Sequence, residues 1–192
     1  EKLVNGIEKL KEACEAYSKK LRNSEYRINF SDGEEIRFRF FDINLAHLLG
    51  VDYKSFYHES LKSISEKILD VDISKVNSYE LLSRIILYID DIAKHDSQYP
   101  NTQLLNYNQI KYKSTAFLHI YKKFLEFNFG CIDFDVNVYN TINNQSFKTN
   151  STKLLFMPID DNMKLFYVIG LKYDERINMY RPETIFYTEN IS

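Results

Sequence analysis

The sequence predicts an α+β fold with an early β-hairpin, a helical middle and a C-terminal antiparallel sheet of about four strands. Three observations carry this expectation. Asp32-Gly33 lies between two stretches that alternate apolar and polar residues, a strong hairpin signal. From about residue 54 to 127 apolar residues recur at spacings of three and four, the period of a helix face. Beyond Gly130 the period falls to two, the period of a strand. The 192 residues suit a single α+β domain, 1–192, with the helical segment between hairpin and sheet.

The first element is an amphipathic helix over about 2–22, marked by Leu3, Ile7, Leu10, Cys14, Tyr17 and Leu21. Its seam could pair with a second helix, but about three heptads barely suffice for a coiled coil, and docking onto the core is the commoner outcome. The hairpin follows, from Glu25 to Ser31 and from Glu34 to Phe40, with Asp32-Gly33 as a two-residue turn. Tyr26, Ile28 and Phe30 share a face on the first strand, and Ile36, Phe38 and Phe40 on the second. Arg27, Arg37 and Arg39 take the other face. That face is either an ordinary polar sheet surface or a basic surface that positions phosphates, with Arg37 and Arg39 as substrate-binding candidates.

A short helix after Phe40 is expected to bury Ile43, Ala46 and Leu49, and Gly50 stops it. His47 lies in this helix. Fixed at a strand-to-helix junction, it suits general acid–base work; the alternative is a half-buried histidine bonded to a backbone carbonyl. Helices are expected over 54–70 (Phe56, Leu61, Ile64, Ile68, Leu69) and from Ser78, as capping residue, to about Lys94. Gln98-Tyr99-Pro100-Asn101 reads as a loop, and a third helix runs over about 106–127. Lys113 falls on the apolar face of that helix with Ile110, Phe117, Ile120, Phe124 and Phe127. It either snorkels to the edge or points into a site, where partial burial would tune its charge.

The expected strands of the last third cover 131–139, 153–159, 163–173 and 179–188. Thr141 to Asn150 reads as a turn with a ragged strand start, and Asp160 to Asn162 and Asp174 to Asn178 as turns. Pro182 places the last strand at an edge or a bulge.

The net charge of −2 offers no bulk attraction for nucleic acid, so any RNA-binding face must be local. Fifteen Tyr and fourteen Phe without Trp leave room for both an aromatic core and a stacking surface. Cys14 and Cys131 lie far apart without metal spacing and read as reduced, buried residues, which with the absence of a signal-peptide core or an apolar span points to a cytoplasmic protein. The chain begins at Glu1 without Met, as a trimmed chain or a part of a longer one would. His47, His58, His95 and His119 form no metal-ligand grouping. Asp133-Phe134-Asp135 and Asp160-Asp161 fit a solvent-facing strand and a turn. With no Gly-rich phosphate loop and no nucleophile elbow, neither a metal nor another cofactor is expected.

Metal-free RNA cleavage needs a base for the 2′-hydroxyl, an acid for the leaving oxygen and cations for the phosphate. The C-terminal sheet offers Lys172, Arg176, Arg181, Thr184 and Tyr187 for such work, or else these residues merely dress a charged turn and an edge strand.

The strand that runs into Phe41 and then His47-Leu48-Leu49-Gly50 has the form F-x-x-x-x-x-H-L-L-G. It resembles a phage- and mobile-element-associated group of the barnase/EndoU/colicin/RelE-like (BECR) nuclease superfamily, in which a similar motif after an early hairpin supplies an active-site histidine. The order of elements is similar over most of the chain. The resemblance implies a metal-independent ribonuclease, as a toxin or phage-defence effector. In it His47 is the acid–base residue, Lys113, Arg181 and Thr184 contact the scissile phosphate, and Tyr187 orients or donates a proton. Arg37, Arg39, Lys172 and Arg176 would bind substrate. The implied partners are RNA and a neutralising protein, with no membrane. The alternatives are a non-catalytic protein- or nucleotide-binding module on the same scaffold and a partner-neutralising protein of a defence or counter-defence system.

Overall fold

A computed structural model describes residues 2–52, 56, 58–125, 132–135, 151–159 and 165–189. The expected turns at 141–150 and 160–162, most of the strand expected at 131–139, and Cys131 lie outside the described residues. The chain divides into two compact units, residues 1–17 with 42–115 and residues 18–41 with 116–192.

The first unit is helical. It opens with α1 (Lys2–Ala16); a π-helical turn, Tyr17–Leu21, whose residues from Ser18 on belong to the second unit, carries the helical path on to the residue that the apolar spacing predicts. Leu10, Ala13, Ala16 and Tyr17 are buried, and the Tyr17 hydroxyl donates to the Asp42 carboxylate at 2.7 Å. α2 (Asp42–Leu48) follows. Its buried set is Leu45, Ala46, Leu48 and Leu49, whereas Ile43 is 68% exposed, so the predicted face is rotated. The reason is the neighbour: α4 (Ser78–Leu87) packs against α2, and the Ala46 N–H donates to the buried Ser78 hydroxyl at 2.9 Å.

Ser78 therefore serves α2 rather than its own helix. The cap of α4 is Asn77, whose side chain accepts from the N–H groups of Tyr79 and Glu80 while Glu80 accepts from Asn77. α3 (Glu59–Leu69) ends at Asp70 in the left-handed region. The single helix expected over 78–94 is two, α4 and α5 (Ile89–Gln98), broken at Tyr88. Asp90 and Asp91 in the first turn of α5 suit a fresh helix start, where carboxylates offset the free N–H groups. A short 3-10 turn, Pro100–Thr102, leads to α6 (Tyr107–Leu125), which belongs to the first unit up to Thr115 and to the second from Ala116.

The second unit is built on one sheet of β1 (Glu25–Asn29), β2 (Glu35–Arg39), β3 (Ile132–Asp135), β4 (Lys153–Pro158), β5 (Leu165–Asp174) and β6 (Met179–Glu189). The strand order is β1-β2-β6-β5-β4-β3. β3 to β6 form the antiparallel four expected, and the hairpin joins them through a parallel β2–β6 pair with Phe38 beside Tyr180. The hairpin loop holds three residues rather than two. Phe30 and Glu34 close it, and Gly33 at φ 90° takes the left-handed position.

Parity along the strands separates the two sheet faces. Tyr26, Phe38, Phe40 and Tyr167 share one, which the second half of α6 covers. Phe124 packs on Tyr26 and Phe38 at ring distances of 5.1 and 5.6 Å, and Phe117 on Phe40 at 6.1 Å. The other face carries Arg27, Arg37 and Arg39 at one end and the buried Leu154, Phe156, Phe166 and Val168 at the other. Pro182 sits in an interior strand, tolerated there because β6 bulges beside it.

Candidate functional site

His47-Leu48-Leu49-Gly50 is a helix end whose geometry dictates its sequence. Gly50 at φ 82° donates its N–H to the His47 carbonyl at 3.1 Å, and Val51 donates to Ala46 at 2.9 Å. These are the two bonds of a Schellman closure, which favours glycine at the left-handed position. Leu48 and Leu49 are buried, and His47 is exposed on the outer side of α2. Within the same unit α6 pins this end. The Ser114 hydroxyl donates to the Leu49 carbonyl at 3.3 Å, and Gly50 lies so close to α6 that a Cβ there would fall 2.6 Å from the Gln109 carbonyl oxygen. Lys113, one residue before Ser114, is half-buried, and loss of water around its ammonium lowers its pKa.

The remaining predicted residues belong to the sheet unit. Lys172 stands directly across from Arg181, and Gly170 across from Thr184. Leu171 pairs with Pro182, so Glu183 is the extra residue of a bulge. In a regular strand, residues three apart point to opposite faces; the bulge restores Arg181 and Thr184 to one face. The parallel register of Phe38 with Tyr180 makes Arg39 and Arg181 the next neighbours across that pair, on the face away from Phe38. Arg39, Lys172, Arg181 and Thr184 thus share one stretch of sheet.

Two of these cations are incompletely satisfied. Arg39 Nε and Arg181 Nε are buried and make no hydrogen bond. The Arg39 guanidinium lies 5.4 Å from the ring centre of Phe41, the first residue of the motif, and reaches Asn23 Oδ1 at 3.4 Å. Arg181 has Asp174 at 3.5 Å and Glu183 at 4.0 Å, near enough to hold the charge in place. The other two predicted arginines are committed. Arg176, 81% exposed, grips both Asp174 oxygens and helps hold that carboxyl down at about 2. Arg37 binds Glu25 through two nitrogens and lowers its pKa.

Tyr187 does not join Arg181 and Thr184. It pairs with Tyr167 on the opposite face and is 48% exposed. There His119 stacks on Tyr167 at 4.8 Å and 13°, and burial, with Tyr187 nearby, raises the Tyr167 hydroxyl pKa. The sequence reading missed Ser151, buried over Gly170 beside Thr184, and the carboxylates that flank Arg181. Asp174 was visible only as a turn residue, and nothing local marked Glu183 as bulged. Among the described residues no three His, Cys, Asp or Glu side chains cluster to hold a metal ion, and no helix is long and apolar enough to cross a membrane.

A family model for phage-Barnase-EndoU-ColicinE5/D-RelE like nuclease4 (PBECR4) matches residues 9–190. The chain belongs to this nuclease-like family, and the membership supports a nuclease-type function. No curated protein and no solved structure matches the chain.

Proposed function

We propose that this chain is a metal-independent ribonuclease that holds the substrate phosphate on the basic stretch of its sheet, acting as a toxin or phage-defence effector. The observation that carries the reading is Arg39 beside Arg181, each with a buried Nε–H that has no acceptor. An unpaired buried donor costs about 1–3 kcal/mol. A phosphate brings both acceptor oxygens and the opposite charge, and arginine matches its geometry. Lys172 adds charge and Thr184 a hydroxyl on the same face.

In such a reaction the ribose 2′-hydroxyl loses a proton and attacks the adjacent phosphorus, the bond to the 5′-oxygen breaks, and that oxygen takes up a proton. Cations stabilise the charge that builds on the phosphoryl oxygens. His47 is the acid–base residue on the strength of its motif and its exposure, and Lys113 is a second basic group whose ammonium burial weakens. Tyr187 stands apart from the phosphate set.

The test is cleavage of a fluorescent RNA, with the matching DNA as control, in the presence of chelator. RNA should be cut, DNA spared, and chelator without effect. Arg39→Ala or Arg181→Ala should slow cleavage about a hundred- to a thousandfold, and His47→Ala about a hundred- to ten-thousandfold, with the thermal midpoint nearly unchanged for His47→Ala. Arg176→Ala should stay near wild type, since that guanidinium is already occupied. RNA binding without cleavage would leave the binding-module reading, and cleavage that chelator stops would end the metal-independent one.

A further inference from the structure

Between α3 and α5 the helical unit carries an open cavity of about 870 Å³. Its lining is chemically mixed: the aromatic residues Tyr88, Tyr99 and His95, two basic residues, Lys67 and Lys94, and two acidic ones, Asp70 and Asp91. Binding sites for small ligands combine such a concavity with a few convergent polar groups. Tyr99 is 56% exposed, a large ring left at the surface next to the opening. It lies 5.1 Å from the His95 ring.

His95 is held in a fixed orientation from below. Asp96 is 2% exposed and accepts the N–H groups of Leu104 at 2.8 Å and Leu105 at 3.2 Å and the Tyr107 hydroxyl at 3.0 Å. His95 Nδ1 lies 3.2 Å from Asp96 Oδ1. A carboxylate with these donors can only accept, so Nδ1 is the donor of that pair. The same Asp96 bonds tie down Leu104 and Leu105, between the 3-10 turn and α6, and Tyr107 at the start of α6, so α5 is braced through a buried network rather than by loose side chains.

We infer that this cavity is a binding site for a nucleoside monophosphate. A flat base matches the tyrosine and histidine rings, the phosphate matches Lys67 and Lys94, and Asp91 accepts from the ribose hydroxyls or an exocyclic amine. A purely anionic ligand would not account for the two carboxylates in the lining, Asp70 and Asp91, nor a purely apolar one for the two lysines. The site lies wholly within the helical unit and shares no residue with the phosphate-holding sheet face, so it survives or fails independently of the ribonuclease reading.

Calorimetric titration of the full chain with adenosine 5′-monophosphate tests this, with adenosine alone and inorganic phosphate alone as separate arms. The nucleotide should bind, and each part alone should bind more weakly. Tyr99→Ala should weaken it about five- to 150-fold, the range for loss of one aromatic stack on a base. Lys94→Ala should weaken nucleotide and phosphate but leave adenosine unchanged. Both residues are exposed, so neither variant threatens folding. The Arg181→Ala chain should bind the nucleotide as wild type does. No binding at about 1 mM nucleotide, equal binding of phosphate alone, or affinity unmoved by both cavity variants would overturn the inference.

Discussion

Two glycines with the same backbone sign offer a controlled test of how the histidine motif is held. Gly50 has φ 82° and Gly33 φ 90°. Alanine at either position must adopt a left-handed conformation, at a cost of roughly 1–2 kcal/mol. Their surroundings differ. A Cβ at Gly33 meets nothing within 4 Å, whereas one at Gly50 falls 2.6, 2.8 and 3.0 Å from the carbonyl oxygen and carbon of Gln109 and the nitrogen of Ile110. These are backbone atoms of a helix and cannot rotate away, so the end of α2 must lift off α6, with an overpacking cost of about 1–3 kcal/mol on top. Gly33→Ala should therefore lose about 1–2 kcal/mol and Gly50→Ala about 2–5 kcal/mol by adding those ranges. Urea unfolding of the full chain measures both, each read from the transition that reports its own unit. The Ser114 hydroxyl bond to Leu49 gives a second readout, since lifting α2 should speed amide exchange at Gly50 and Val51 in Gly50→Ala alone. Equal losses at the two positions would refute the close-approach argument and reduce the motif glycine to a backbone preference.

Other perturbations have equally definite outcomes. Gly170→Ala would drive a methyl group to 2.7 Å from Thr184 Cγ2 and into the Ser151 hydroxyl, and should cost about 1–3 kcal/mol in a urea melt while displacing Thr184. The Asp174 carboxyl is held at about 2, below its ordinary 3.8, first by Arg176; its stabilising effect is full above pH 3.8 and disappears as pH falls toward 2. An acid titration of stability should therefore steepen below that point, and Asp174→Asn should flatten part of the slope, Asp72 supplying another part. Burial pushes the Cys14 thiol up to about 12. In a Cys131→Ser chain at pH 8, a thiol reagent should thus meet about a thousandfold less thiolate in the native protein than after unfolding.

The hairpin was legible because its signals are local: the turn glycine lies between alternating strands, and parity alone put Arg37 and Arg39 opposite Phe38. The Gly50 stop was legible for the same reason. Three features were not. The break at Tyr88 is hidden because the apolar run continues through it, and only the carboxylates Asp90 and Asp91 hint at a second start. Ile43 was misplaced because a seven-residue helix fits several faces, and contact with α4 chooses among them. The grouping of the basic residues depends on a parallel pairing between strands some 140 residues apart, which no periodicity reports.

The bulge at Glu183 explains why the predicted set split as it did. Arg181, Thr184 and Tyr187 lie three apart in sequence, so strict alternation would put Arg181 and Tyr187 on one face and Thr184 on the other. The extra residue falls between the first two and not between the last two, so the structure joins Arg181 to Thr184 and sends Tyr187 to the face of Tyr167. The same bulge holds the Glu183 carboxylate at 4.0 Å from Arg181 Nε, close enough to attract and too far to bond. With Arg39 on the adjoining strand, this leaves two arginines at neighbouring register positions, each with an Nε–H that folding buried without an acceptor. A fold keeps such unpaired donors at a cost in stability. Arg37 and Arg176, each closed on a carboxylate, show that the chain can satisfy its arginines where nothing else is needed of them. The contrast between the two pairs is the reason to look for the anion at Arg39 and Arg181.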